Sequence, residues 1–309
     1  MKIDWFKRIA RLYLPVYQYE SETMKIAYAG YSSIKKNYYV RLLQDGNNHH
    51  SFLGRRFFWQ IPELIKSDNL DIVIAEISPI TFKNFQKCNG YILPEWVRMR
   101  INIDRPLSEI CKRSVSDFPD VTRKIRKNNL TYEILTDQKS FNSFNEKFYL
   151  PFITKRYGKE AWIEDLNIMW KSSPSPFLIA VRKGEKTVGM SIVRKSEDTF
   201  SLFRLGLLDG NDEYRRLGVI GAIYYFSILE GQKMRCQFLD VGGARPFFTD
   251  GLTKYKLGLG AEFITNVNPG NEVFLWLGVN EHSPSANEFI NSNPFIYFNK
   301  DLSLVRSGK

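Results

Sequence analysis

The chain has 309 residues, 43% hydrophobic and 15% aromatic, enough apolar material for one large or two medium cores and too much for a disordered protein. Forty-four Lys and Arg against 33 Asp and Glu leave a formal net charge of +11, which favours anionic partners: a CoA-like phosphate compound, a tRNA, an acidic carrier protein or an anionic membrane surface. Cys88, Cys111 and Cys236 are odd in number and far apart, so they form no metal-ligand spacing and read as reduced thiols of a cytoplasmic protein. No run of about 18 apolar residues predicts a membrane span. Residues 1–17 lack a signal-peptide layout, because Arg11 interrupts the apolar stretch.

Residues 2–14 read as an amphipathic helix bounded by Pro15. Trp5, Phe6, Ile9, Leu12 and Tyr13 fall on one side, with Lys2, Lys7, Arg8 and Arg11 toward the other. Such a helix packs on its own domain or makes peripheral contact with an anionic membrane. It defines an N-terminal segment, 1–23. A small α/β unit follows over 24–105, with strands at 24–29 and 71–77 and a strand pair within 91–103. Residues 55–65 suggest a helix broken by Pro62. His49 and His50 sit in a loop-like stretch, 45–50, where adjacent imidazoles point different ways and no third metal ligand is evident.

A helical connector occupies 106–129, interrupted at Pro119, with Asp120 as N-cap. Its Arg123-Lys124-Ile125-Arg126-Lys127 is the densest local positive charge. The second unit, 130–280, opens with a strand at 131–135. A helix over 141–157 follows, kinked or split by Pro151, then a short helical run over 163–170. A three-strand antiparallel meander comes next at 177–181, 187–194 and 199–208, with turns at 183–186 and 195–198. A long helix from 214 to about 230 ends at Gly231 as C-cap. A strand at 237–241, a helix at 249–257 and strands at 262–267 and 273–279 complete the unit. The tail, 281–309, offers a short helix and an edge strand at 295–298.

The most telling stretch is 200–265, centred on Arg215-Arg216-Leu217-Gly218-Val219-Ile220-Gly221-Ala222. A glycine-marked helix start is an anion site, because its first N–H groups lack helical partners and the dipole is positive there. Two arginines just ahead add formal charge. The stretch resembles the GNAT superfamily of acyltransferases, whose phosphate loop reads Arg/Gln-x-x-Gly-x-Gly/Ala. Arg215 and Gly218 match the first two landmarks; Ile220 stands at the third, and Gly221 comes one position late. Asp240-Val241-Gly242 after a strand, and Lys256 followed by Gly260-Ala261, are more similar to the Fem-type (peptidoglycan aminoacyl transferase) double-domain branch.

The resemblance covers roughly 130–280. It implies an α/β fold with a GNAT-like mixed, mostly antiparallel sheet flanked by helices, in a tandem of two GNAT-like units with the N-terminal one smaller. It implies a cofactor site at Arg215, Arg216, Leu217, Gly218, Val219, Ile220, Gly221 and Ala222. Backbone N–H groups around Leu205, Gly206 and Leu207 would face the oxyanion. Tyr255 would protonate the leaving thiolate, or merely pack in the core. Lys256 would meet substrate phosphate. Asp240 would bind a substrate amine or hydroxyl, or only close its own turn. Glu213 would act as a base or pair with the arginines. The expected activity is N-acyl transfer, of an acetyl or longer group, from acyl-CoA to a small-molecule amine, with no metal. The alternatives are a Fem-type transferase fed by aminoacyl-tRNA or acyl carrier protein, and a non-catalytic GNAT-like binding protein.

Overall fold

The computed structural model describes residues 11–43, 49–67, 69–158, 161, 163, 165–264 and 274–307. In chain order the strands are β1 (Tyr13–Glu20), β2 (Lys25–Ala29), β3 (His49–Phe57), β4 (Ile72–Ile77), β5 (Tyr91–Pro94), β6 (Val97–Asn102), β7 (Leu130–Leu135), β8 (Phe177–Lys183), β9 (Lys186–Ser196), β10 (Thr199–Leu207), β11 (Phe238–Ala244), β12 (Glu262–Phe263), β13 (Phe274–Val279), β14 (Ile296–Phe298) and β15 (Leu304–Arg306). Helices of eight or more residues are α1 (Ser33–Leu43), α2 (Phe118–Lys127), α3 (Leu150–Tyr157), α4 (Val219–Lys233), α5 (Gly251–Gly258) and α6 (Pro284–Ser292). Among the described residues no helix is long and apolar enough to cross a membrane.

The chain forms two compact units that interleave in sequence. Unit 1 takes in the described residues of Met1–Val97, Arg245–Thr253 and Ile264–Lys309; unit 2 takes in those of Arg98–Ala244 and Lys254–Phe263. The expected boundaries at 105, 130 and 280 therefore shift: β13 and the tail strands β14 and β15 return to the first unit, and the 106–129 connector is part of the second.

Unit 1 is built on an eight-stranded sheet in the order β15-β14-β5-β13-β4-β2-β1-β3. All pairings described in it are antiparallel except β2 with β4. The centre, β4 and β13, is buried at every position, which is why Ile72-Val73-Ile74-Ala75 reads as an unbroken apolar run. The exception is Glu76, 1% exposed. It accepts from the Tyr28 hydroxyl at 2.7 Å and the Ser32 N–H at 2.8 Å, and pairs with Arg11 at 3.4 Å. A carboxylate so partnered is tolerated inside a core; stripped of its partners it would not be.

Burial raises the phenols of Tyr28, Tyr38 and Tyr39 well above the usual tyrosine range, with Glu76 adding to the effect on Tyr28 and Asp250 on Tyr38. A folded-state pKa above the unfolded value contributes stability that is complete below the unfolded value and lost as pH rises past it. The unfolded chain ionises near pH 10.0 while the fold holds these protons. Stability is therefore expected to fall above pH 10, by about 1.4 kcal/mol per pH unit for each such tyrosine. Tyr28→Phe should make the alkaline fall in melting temperature shallower; an unchanged slope would contradict the burial of Tyr28.

Several elements differ from the sequence expectation, each for a local reason. Tyr13 and Leu14 belong to β1, not to a helix, and Pro15 lies inside that strand; the remainder of the expected 2–14 helix, up to residue 10, falls outside the described residues. His49 and His50 begin β3, and residues 55–57 continue it, so the expected helix over 55–65 shrinks to short turns at Phe58–Gln60 and Leu64–Ser67. The N-cap of α2 is Asp117; Asp120 is in its first turn, and Pro119 fits there because its missing N–H has no helical partner. The helix expected over 141–157 is a short helix, Gln138–Ser143, then a π-helical turn, Phe144–Tyr149, then α3 with Pro151 in its first turn.

Unit 2 carries a seven-stranded sheet, β12-β6-β11-β10-β9-β8-β7. The expected β8-β9-β10 meander is present and antiparallel. The chain then crosses by α4 to β11, which pairs parallel with β10. α4 is apolar nearly all round, and Val219, Ala222, Ile223, Tyr224, Phe226 and Ile228 are all buried in one core. The helix runs through Gly231 to Lys233. Gly231 is thus not a C-cap: Ile103 and Phe200 pack where its side chain would stand.

Candidate functional site

β10 and β11 pair only at Thr199–Phe238, Phe200–Leu239 and Ser201–Asp240. Beyond Ser201, β10 continues against β9 alone, through Arg204–Ile192 to Leu207–Gly189, after a bulge at Phe203. The two parallel strands therefore part, and the β11-side edge of β10 from Leu202 to Leu207 faces no partner strand among the described residues. This is the splay that would leave backbone donors near Leu205, Gly206 and Leu207 for an oxyanion. Gly206 itself is fixed by packing: a Cβ there would stand 2.4 Å from the backbone C and O of Phe148 in the π-helical turn.

The start of α4 has the local geometry expected of residues 215–222 only in part. Asp212–Arg216 forms its own short helix, and Gly218 follows in the left-handed region, φ +90°. The N–H groups of Leu217 and Gly218 bond to Glu213 and Arg215 carbonyls at 2.9 and 3.0 Å, and that of Ala222 bonds to Gly218 at 2.9 Å. Those three are thus spent on helix bonds. The first-turn donors that precede the α4 ladder are Val219, Ile220 and Gly221. Arg215 and Arg216 are both exposed, and Arg215 also pairs with the exposed Asp212 at 3.3 Å. A Cβ on Gly218 would stand 2.9 Å from the Lys124 stem, and one on Gly221 would stand 2.9 Å from Val121. α2 therefore lies against the start of α4, with the Lys124 stem beside Gly218 and Val121 beside Gly221. The Asn128 amide joins them by donating to the Leu217 carbonyl at 3.0 Å. The smallness of Gly221 serves this helix contact, which explains its position one residue late.

Asp240 is 5% exposed, at the point where β10 and β11 separate. Its Oδ1 accepts from the Gly242 N–H at 2.9 Å and its Oδ2 from the Arg98 guanidinium, which is itself 65% exposed. Lys256 is 3% exposed and donates from Nζ to the Gly243 carbonyl at 2.8 Å. Asp240 and Lys256 thus meet at one turn, 240–243: Asp240 closes that turn through the Gly242 N–H and also takes Arg98, and Lys256 is buried beside it rather than solvated. Tyr255, beside Lys256 on α5, lies edge-on to Tyr224 with ring centroids 5.8 Å apart. Burial first and Tyr224 second raise its phenol above the usual range, although 38% of the residue is exposed. Tyr255 therefore holds its proton more tightly than an ordinary tyrosine.

Glu213 is exposed; its N–H bonds to the Asn211 side chain at 2.9 Å, and it is Asp212 that pairs with Arg215. The charge of Glu213 acts instead on Lys186, whose pKa rises through Tyr214 first. A shallow cavity lined by Ile103, Asp104, Arg105, Gln232, Arg235 and Cys236 lies at the other end of α4 and holds none of these residues.

Two contributors were not visible in the sequence as site residues. Arg98 alternates outward in β6, but its partner is 142 residues away. Lys124 is one of a run of similar cations. Within unit 1, Lys35 and Arg245 share Glu95, at 2.8 and 3.7 Å, and the Arg245 guanidinium lies 4.7 Å from the Tyr38 ring centroid and 4.1 Å from that of Trp96. Nothing in the local sequence marks that cluster.

The fold is GNAT-like. An antiparallel meander, a buried crossover helix and a parallel strand that parts from its neighbour make unit 2 so, and unit 1 adds a second mixed sheet. No family profile matches the sequence, and no curated protein sequence matches it. Among solved structures it is similar to L-PGS from Bacillus licheniformis, with a TM-score of 0.43 and 8% identity over 89% of this chain and 85% of that one. FemX gives a TM-score of 0.45 and 10% identity over 83% and 81%. A GCN5-related N-acetyltransferase from Kribbella flavida gives 0.35 and 10% over 89% and 93%. At such identities and TM-scores these likenesses do not bear on what the chain binds or transfers.

Proposed function

We propose that the protein is a cytoplasmic acyltransferase that moves an acyl group from acyl-CoA to a small-molecule amine. The observation that carries this reading is the parting of β10 from β11 beside the free first turn of α4. The Val219, Ile220 and Gly221 N–H groups, with Arg216 and Lys124, suit the donor's pyrophosphate. Edge donors on β10 suit the carbonyl oxygen as it gains negative charge. In the transfer a nitrogen–carbon bond forms, the carbon–sulfur bond breaks, and one proton passes from the amine to the thiolate. Asp240 and Lys256 would fix the acceptor, and protonated Tyr255 would hydrogen-bond the leaving group.

The test is thiol release from acetyl-CoA and longer acyl-CoAs over a panel of amines. Release that depends on the amine is expected, with Tyr255→Phe lowering kcat about 100-fold. Because the phenol is raised, its contribution should persist to pH 10 and be lost only above it. A Tyr255→Phe variant with wild-type kcat would remove the assigned role.

A second reading is favoured by two observations. α2 carries four cations, Arg123, Lys124, Arg126 and Lys127, within five positions, and a raised phenol suits an alcohol leaving group better than a thiolate. Both would fit an aminoacyl-tRNA ester as donor. That reading requires transfer that weakens steeply with salt; absence of any salt dependence would exclude it. A protein that binds CoA or tRNA without turnover would be the non-catalytic GNAT-like form.

A further inference from the structure

β3 is the last strand of the unit 1 sheet, and its outer edge pairs with no strand among the described residues. Its register against β1 contains a bulge: Val16 faces Gly54 but Tyr17 faces Phe52, so Leu53 is an extra residue. A one-residue insertion reverses the alternation of every side chain beyond it. As a result Phe57, Arg55, Phe52 and His50 all fall on one face, opposite Tyr13, Pro15, Tyr17 and Tyr19. Without the bulge Leu53 and Ser51 would occupy that face instead.

The rings lie in two groups along this edge of the sheet, with Arg55 between them. Trp59 stacks on Phe57 with centroids 4.5 Å apart and planes 4° from parallel. Phe57 meets Tyr13 at 4.7 Å, and Phe52 meets Tyr17 at 5.3 Å. Phe52 and Trp59 are exposed by 57% and 56%. Cations are interleaved with the rings. Lys36 lies 4.0 Å above Tyr17, and Arg55 lies beside Tyr31. From Met24 to Pro62 the sequence has six Lys and Arg and a single acid, Asp45.

We propose that this aromatic–basic edge docks the protein on an anionic phospholipid surface. Exposed Trp, Phe and Tyr side chains favour the headgroup region, and interleaved Arg and Lys favour anionic lipid. The arrangement fits single-stranded RNA less well: Phe57 and Trp59 cover each other's faces, leaving no slot for a base between them. The docking does not depend on the transfer chemistry of unit 2.

The test is flotation of the full chain with vesicles of phosphatidylcholine carrying about one third phosphatidylglycerol, against vesicles of phosphatidylcholine alone. The protein should float with the anionic vesicles and bind the neutral ones at least tenfold more weakly. Arg55→Glu with Lys36→Glu should weaken anionic binding by tenfold or more. Phe52→Ser with Trp59→Ser should weaken it about as much while melting like the wild type, since both side chains are already exposed. Wild-type binding by both pairs, no binding to anionic vesicles, or loss of RNA binding by both pairs with vesicle binding intact would overturn the assignment.

Discussion

Gly206→Ala is expected to lower the melting temperature by roughly 5–10 °C, and Gly206→Val to leave little folded protein. The cause is local and severe. The added carbon would stand 2.4 Å from the backbone C and O of Phe148 and 2.6 Å from the Tyr149 N. A side-chain clash can be relieved by a rotamer change, but this one is with backbone. That backbone cannot retreat, because the π-helical turn is pinned by Phe144, Phe148 and Tyr149, all 3% exposed or less, within a core shared with Leu178, Met190 and Ile192. Overpacking of this kind costs about 1–3 kcal/mol or more, and each kcal/mol shifts the melting temperature by roughly 2–4 °C for a domain of this size. Gly251→Ala is the control: its Cβ would meet nothing within 4 Å, so its melting temperature should stay at or above the wild-type value. The comparison is made by scanning calorimetry. A Gly206→Ala protein that melts with the wild type would show that β10 does not press on the turn.

Lys256→Met is expected to lower kcat/KM by about 10- to 100-fold, the loss of one charge-assisted hydrogen bond that fixes the acceptor. Methionine keeps the length and burial of the stem and removes only the ammonium. The ammonium is 3% exposed and its Nζ bonds to the Gly243 carbonyl at 2.8 Å, where β11 ends. Loss of a charge-assisted hydrogen bond should also destabilise the fold by about 1.5–3 kcal/mol. The two effects separate by measurement: activity is read well below the melting point, where the variant is fully folded. A variant that is less stable but equally active would make Lys256 structural only. Asp240→Asn should be gentler on stability than a broken buried pair, because Arg98 is 65% exposed and returns to water when released.

Much of unit 2 was legible because its signals are local. The β8-β9-β10 meander announces itself by apolar strands and glycine turns, and α4 by a long apolar run behind Gly218. The N-terminal strands were harder. Tyr13-Leu14-Pro15 continues a helical pattern on paper, but β1 is paired on both sides, and tertiary pairing overrides a weak helix signal. The two interleaved units could not be read from composition, since no linker marks the crossings at 97, 244, 253 and 263. At the site, the type of each residue was visible and its partner was not. Asp240 was singled out, but Arg98 was not; Arg215 and Arg216 looked equivalent until Asp212 paired with one of them. Long-range partners and ion-pair choices are set by the fold, and a single sequence does not state them.

The measurement that bears most directly on the assignment is a calorimetric titration of acetyl-CoA into the wild type and into Arg216→Ala. Saturable binding at sub-millimolar concentrations is expected for the wild type, with stabilisation of about 2.7 kcal/mol at 100 times the dissociation constant. Arg216→Ala should bind roughly tenfold more weakly. No binding heat in the wild type, or the same affinity in both proteins, would contradict a phosphate site at the start of α4.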